Sequence, residues 1–236
     1  RNRVAKLLQT QVSQNDLPRN TRCKMKILSI CKQRYAYNFD TGETSLLSSG
    51  LWNSALMVAK MLDRVKGIDT KIVDVVDNNS IDREMSIYQP DVVVIEAYWV
   101  VPEKFEVLNK LHPGVKWIVR CHSNIPFFAN EGITVEWTVD YLSKYKNVWV
   151  ATNNKEARRA VRLLAKSNVG SPERTIYFPN FYDFPVNPSF PPKDPRVLNI
   201  GCFGAIRPLK NHLNQAVAAL EYADGKEFNF HINTGR

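Results

Sequence analysis

Most of the features that assign a chain at sight are missing from this one. Its four cysteines, Cys23, Cys31, Cys121 and Cys202, are widely spaced, with no CxxC and no Cys/His cluster. Zinc needs ligands at close, regular spacing, so a structural zinc site is excluded as a reading. Cys31, Cys121 and Cys202 stand in or beside apolar runs, where a free thiol packs as a small hydrophobe. Reduced core thiols fit a cytoplasmic setting. No apolar run approaches the roughly 20 residues that cross a bilayer. No signal-peptide core stands at the start. Neither GxGxxG nor DxD occurs, so neither a dinucleotide fingerprint nor a metal-binding acidic pair can be read. Acidic residues are short as well: 23 against 32 Lys and Arg, a net charge of +9. A basic balance suits polyanions, anionic membrane surfaces or phosphate-bearing small molecules, or is only a soluble basic surface.

What is present is ordinary globular material. Hydrophobic residues make up 44% and charged residues 23%, which excludes disorder over most of the chain. At 236 residues the chain is long enough for one large domain or two small ones. Residues 1–23 are polar and basic and read as an N-terminal extension. From residue 24 apolar runs alternate with helical periodicity. "MKILSIC", "TKIVDVV", "DVVVIEAYWV", "VKWIVRCH", "NVWVATN" and "TIYFPN" read as strands. "LWNSALMVAKMLDRV" has apolar residues at 51, 52, 55, 58, 59, 62 and 65, which is helical spacing. "SIDREMSIYQ", "PEKFEVLNKLH", "TVDYLSKY" and "NKEARRAVRLLAK" read as further helices, the last capped by Asn153 or Asn154. Runs apolar on both sides, alternating with helices, predict a parallel sheet covered on both faces. The expected fold class is therefore α/β, a doubly wound Rossmann-like domain over residues 24–184.

"PVNPSFPPKDP", residues 185–195, carries five prolines and reads as a semi-rigid linker. Residues 196–236 then open a second strand, turn and helix, followed by the strand "EFNFHINTG". Two strands and one helix cannot bury a core alone.

In doubly wound sheets ligands sit at the carboxyl ends of the strands. The loops there hold three groups of candidates. Ser48 or Ser49 can cap the first helix, and Gly50 permits close backbone approach at its start, a place suited to anions. The long stretch before it, "QRYAYNFDTGETSLL", can line an acceptor pocket. His122 ends a strand, where it can donate to or polarise a substrate oxygen, and Ser123 and Asn124 follow it. Glu96 ends another strand; a carboxylate there needs a partner, and Arg120 is one. The third group is Gly201 and Gly204 flanking a turn, then Arg207, Lys210 and Asn211 at a helix start. Backbone amides and two cations there make a diphosphate cradle.

Taken together, "YFPNFYDF", the proline-rich link and "VLNIGCFGAIRPLKNHLNQAVAAL" resemble the inter-domain segment of GT-B fold glycosyltransferases, nearest the retaining family 4 group. Phe178–Pro179–Asn180–Phe181–Tyr182–Asp183 stands where that family has an IPNGVD-like turn, with Phe181 in the glycine's place and the Asp one position later. Gly204, Pro208 and Lys210 match its GRLxxxKG-like loop. Ala205 holds the family's arginine position, Arg207 lies two residues on, and Asn211 replaces the last glycine. The resemblance implies transfer of a sugar from a nucleotide-diphosphate donor to an unidentified acceptor: a glycan, a small molecule or nucleic acid. His122, Lys210 and Arg207 are the implied catalytic residues. Gly50, Gly204, Arg207, Lys210 and Asn211 would hold the donor diphosphate, and Glu96, Ser123 and Asn124 would face the acceptor. No cofactor and no metal are implied; Lys210, Arg207 and helix amides would offset the charge of the leaving diphosphate. The family's nucleotide-binding half, with its Glu-x7-Glu pair, is expected beyond residue 236, which makes the chain a fragment, inactive alone. The alternative is a non-catalytic module holding nucleic acid or another polyanion through clusters such as "KEARRAVR".

Overall fold

The computed structural model describes residues 24–33, 35–37, 44–46, 49–130, 132–168, 170–183, 189, 192, 194, 196–203 and 211–232. The chain divides into two compact units, residues 1–37 with 46–183, and residues 38–45 with 184–236.

The first unit begins with β1 (Met25–Lys32) and the three-residue strand β2 (Tyr35–Tyr37); of β3 (Thr44–Leu46) only Leu46 belongs to it. Helix α1 (Ser49–Asp63), β4 (Ile68–Val75), α2 (Ser80–Tyr88), β5 (Val92–Glu96) and α3 (Lys104–Leu111) come next. They lead to β6 (Lys116–Cys121), α4 (Ile125–Asn130), α5 (Gly132–Lys144), β7 (Val148–Thr152), α6 (Lys155–Ser167) and β8 (Thr175–Tyr177). Six strands form one parallel sheet in the order β4-β1-β5-β6-β7-β8. Successive residues of each strand point to opposite faces. Leu28, Ile30, Val93, Ile95, Trp117 and Val119 pack with Met85, Phe105, Tyr141 and Val161 from α2, α3, α5 and α6. Their neighbours Ile27, Val92, Val94 and Ile118 pack with Val58 and Leu62 of α1. The unit is thus an α/β, Rossmann-like sheet wound on both faces.

From β1 the chain moves outward to β4, then crosses back over β1 to β5 and continues to β8. The order therefore reverses between β1 and β5, as in flavodoxin-like members of the doubly wound class. That reversal opens a crevice at the carboxyl ends of these strands.

Two elements differ from their sequence reading. The strand expected through Val100 stops at Glu96, because Ala97 adopts a left-handed φ of 70°. Ala97 N–H donates to the Arg120 carbonyl at 2.9 Å, and the Trp99 indole donates to the Glu96 carbonyl at 3.0 Å, which fixes the turn. The helix expected from Thr138 begins at Gly132 and is preceded by α4, which lacks a periodic pattern of its own. Helix α5 buries Thr134, Thr138, Tyr141 and Leu142, a stripe read as helical only once it faces the sheet.

The second unit contains β9 (Leu198–Cys202), α7 (His212–Ala223) and β10 (Phe228–Ile232), with β10 parallel to β9. Of its described hydrophobic residues only Cys202, Ala219 and Ala223 are buried, while Leu213, Leu220 and Tyr222 are more than half exposed. So small a set of elements leaves its larger apolar side chains uncovered.

Candidate functional site

The carboxyl ends of β5 and β6 carry a buried charged cluster. Glu96 and Arg120 are register partners on these neighbouring strands. Both point into the protein, at 1% and 0% exposure. Arg120 Nη1 reaches both carboxylate oxygens of Glu96, at 3.3 and 3.2 Å. The rest of its guanidinium is satisfied by the turn after β8. Nε donates to the Phe178 carbonyl at 3.3 Å, and Nη2 donates to the Pro179 carbonyl at 3.1 Å and to Asn180 Oδ1 at 2.7 Å. The group also lies 4.7 Å from the centre of the Phe178 ring. A planar five-donor fork can hold three segments at once, which an ammonium cannot. The partner that a buried Glu96 requires is thus Arg120, as its position in the sequence suggests.

Glu96 has a second partner. His122 Nε2 lies 2.6 Å from Glu96 Oε2. An ionised carboxylate only accepts, so Nε2 carries the proton in this pair and the ring is held by it. No described residue hydrogen-bonds Nδ1. The imidazole side chain is 17% exposed, and in the neutral tautomer that this contact selects Nδ1 is an acceptor. Arg120 fixes the carboxylate, the carboxylate fixes the imidazole, and the imidazole offers a base or acceptor at the rim. Cys31 ends β1 beside this cluster; burial pushes its thiol well up, and the Glu96 and Asp74 carboxylates add to the shift. It is held as an unreactive thiol.

Beyond His122 the rim becomes an amide-lined pocket of about 540 Å³. One wall is Asn124, Ile125 and Pro126 at the start of α4, another is Asn153–Glu156 at the start of α6, and Tyr177 ends β8. Asn154 is the cap of α6: its Oδ1 accepts from Ala157 N–H at 2.6 Å, and its Nδ2 donates to Asn124 Oδ1 at 2.7 Å. Asn153 Nδ2 donates to the His122 carbonyl at 3.4 Å, which ties the pocket wall to the histidine.

The other sequence candidates fall as follows. Ser123 adjoins His122, and its carbonyl accepts from the Cys121 thiol at 3.6 Å. Gly50 is exposed in the first turn of α1, and a Cβ there would meet no atom within 4 Å. The protein itself therefore does not demand glycine at this position. Asn211 stands immediately before α7 with a left-handed backbone, φ 56°, and its carbonyl accepts from Gln215 N–H at 3.1 Å. Its side chain makes no capping bond. Gly204, Arg207 and Lys210 lie outside the described residues, as does Asp40 of the long stretch "QRYAYNFDTGETSLL" read as lining an acceptor pocket. Among the described residues no group of three His, Cys, Asp or Glu could hold a metal ion, and no helix is long and apolar enough to cross a membrane.

Asn153, Asn154, Asn180 and Tyr177 were not singled out as site residues from sequence. A usable signal existed for the first two: paired asparagines directly after a buried strand, at the edge where ligands bind. No known family model and no curated protein matches the chain.

Proposed function

We propose that this chain carries the acceptor-side unit and the beginning of the donor-side unit of a GT-B type glycosyltransferase. The reaction moves a sugar from a nucleotide diphosphate to an acceptor hydroxyl. Two lines support the reading. One is the resemblance of residues 176–220 to the inter-domain segment of that family. The other, which carries it, is the His122–Glu96 contact of 2.6 Å at the carboxyl edge of the sheet.

In this reading Nδ1 of His122 accepts a hydrogen bond from a substrate hydroxyl and draws its proton. The acceptor oxygen forms a bond to the anomeric carbon as the bond from that carbon to the diphosphate oxygen breaks. Charge then accumulates on the leaving diphosphate. Lys210 and Arg207, to which the resemblance gives this role, offset it. Glu96 positions the imidazole, and Arg120 positions Glu96.

The polyanion-binding alternative gains less support. Within "KEARRAVR", Arg158 Nε donates to the Thr175 carbonyl at 3.1 Å, so one of the cluster's cations serves the fold.

The test is nucleoside diphosphate release by the protein expressed from its complete reading frame, supplied with nucleotide-diphosphate sugars and a panel of acceptors. Turnover is expected to survive a chelator. His122→Ala should lower kcat/KM by about 10²–10⁴-fold while the protein remains folded at the assay temperature. Lys210→Ala should abolish turnover with the fold intact. Release from no donor, or undiminished activity in either variant, overturns the reading.

A further inference from the structure

The pocket beside His122 has a composition at odds with the rest of the chain. The protein is strongly basic, at +9. Yet among the described residues that line the pocket only Lys155 and Glu156 are charged, and they cancel. Glu156 also stands in the first turn of α6, where a carboxylate complements the helix dipole. The pocket therefore has no net charge with which to hold an anion.

What it does have is amides. Asn154 is oriented by Ala157 N–H, which its oxygen accepts, and by Asn124 Oδ1, to which its NH₂ donates. The second bond orients Asn124 so that its oxygen is taken and its NH₂ group remains. No described residue accepts from that NH₂ group, and Asn124 is exposed. Asn153 is oriented the opposite way. The His122 carbonyl can only accept, so Asn153 must turn its NH₂ toward it and its oxygen away. That oxygen, Oδ1, is buried and finds no donor. Tyr177 adds a half-buried ring and a hydroxyl that no described residue engages. The wall thus presents a donor, Asn124 Nδ2, and a hydroxyl, that of Tyr177, which can serve as either. Groups that both donate and accept satisfy such a set, and hydroxyls do so without charge. At about 540 Å³ the space lies within the range of small-molecule sites.

We propose that this pocket binds a neutral, hydroxyl-rich molecule, a saccharide or a cyclic polyol, through Asn124 and Tyr177. On the transferase reading this molecule is the acceptor, and the proposal names its class. Binding itself requires neither the donor nor Lys210.

The experiment is an NMR titration of the full chain, followed at the asparagine side-chain amides. The probes are maltose, cellobiose and myo-inositol, with glucose 6-phosphate and glucuronate as charged counterparts, in the absence of any nucleotide. At least one neutral probe should shift the Asn124 and Asn153 signals, saturating in the millimolar range and insensitive to salt. Asn124→Ala and Tyr177→Phe should each weaken that binding about tenfold, the loss of one ordinary hydrogen bond. Asn124 is exposed, so its variant keeps the fold even if that of Tyr177 does not. Silence with all three neutral probes overturns the proposal. So does tighter, salt-sensitive binding of the charged probes, or unchanged affinity in the Asn124 variant. A protein that binds saccharides here but releases no nucleoside diphosphate keeps the pocket and rejects the transferase. Donor turnover with a silent pocket does the reverse.

Discussion

Replacing Arg120 by methionine removes the centre of the buried cluster while keeping most of its volume. Glu96, at 1% exposure, would keep the hydrogen bond from His122 but no cationic partner among the described residues. The Phe178 and Pro179 carbonyls and Asn180 Oδ1 would lose their donor as well. Breaking a buried pair by removing one partner costs about 3–5 kcal/mol, because the remaining charge stays out of water. Native domains hold only about 5–15 kcal/mol in total, so the change is severe but measurable. For a unit of this size it corresponds to a fall in melting temperature of about 6–20 °C. Urea unfolding followed by tryptophan fluorescence reads it, since Trp117 is fully buried in the same sheet. The companion variant Arg120→Met with Glu96→Leu removes both charges. It should be more stable than the single variant, with a coupling energy of at least about 1 kcal/mol. Arg120→Lys should fall between wild type and Arg120→Met, because one ammonium cannot serve the carboxylate and the Phe178 turn together. A cost below about 1 kcal/mol for Arg120→Met, or additive costs in the double variant, would refute the claim that the cluster is a coupled unit.

Arg174 is buried with no carboxylate partner among the described residues: it donates to the Val148 carbonyl at 2.7 Å and to those of Tyr141, Leu142 and Tyr145 around the end of α5. Arg174→Met should cost about 2–3 kcal/mol in urea unfolding, since it strips a charged donor from carbonyls that water does not reach. Asp77 accepts from Ser80 N–H and Ser80 Oγ and from Asn79 N–H, and these bonds, with Lys104 nearby, hold its carboxyl below the usual carboxylate range. A carboxyl lowered on folding stabilises above its unfolded value, about pH 3.9, and loses that contribution as the pH falls through the lower folded value. The melting-temperature gap between wild type and Asp77→Ala should therefore be widest near neutrality and narrow in acid; a gap independent of pH would contradict the assignment.

The periodicities that define β1, α1, β5 and α6 are local, so they are legible in the chain before any fold is known. A strand apolar on both faces must be covered on both, and that alone predicts a doubly wound sheet. The meeting of Glu96 and Arg120 is legible for a related reason. Both end buried strands, and a buried carboxylate demands a partner. The early end of β5 was not legible. The apolar run continues through Ala97 to Val100, and only the left-handed turn at Ala97 takes it out of the sheet. Nor could the start of α5 be read, because Thr134 and Thr138 look polar until their burial against the sheet is known.

By itself, then, the sequence determines which segments are strands and helices, that the sheet is parallel, and that His122 and Glu96 end strands at the ligand edge. Tertiary structure alone decides that β4 lies outside β1 while β5 lies inside it, since both strands carry similar apolar patterns and a crossover leaves no local trace. That choice sets β5 beside β6 and so brings Glu96 within 2.6 Å of His122. It is also tertiary structure that carries the turn after β8 to Arg120, some sixty residues away, and turns the two asparagines after β7 toward one pocket. Contacts between side chains so distant in the chain depend on strand order and register, which no single segment encodes.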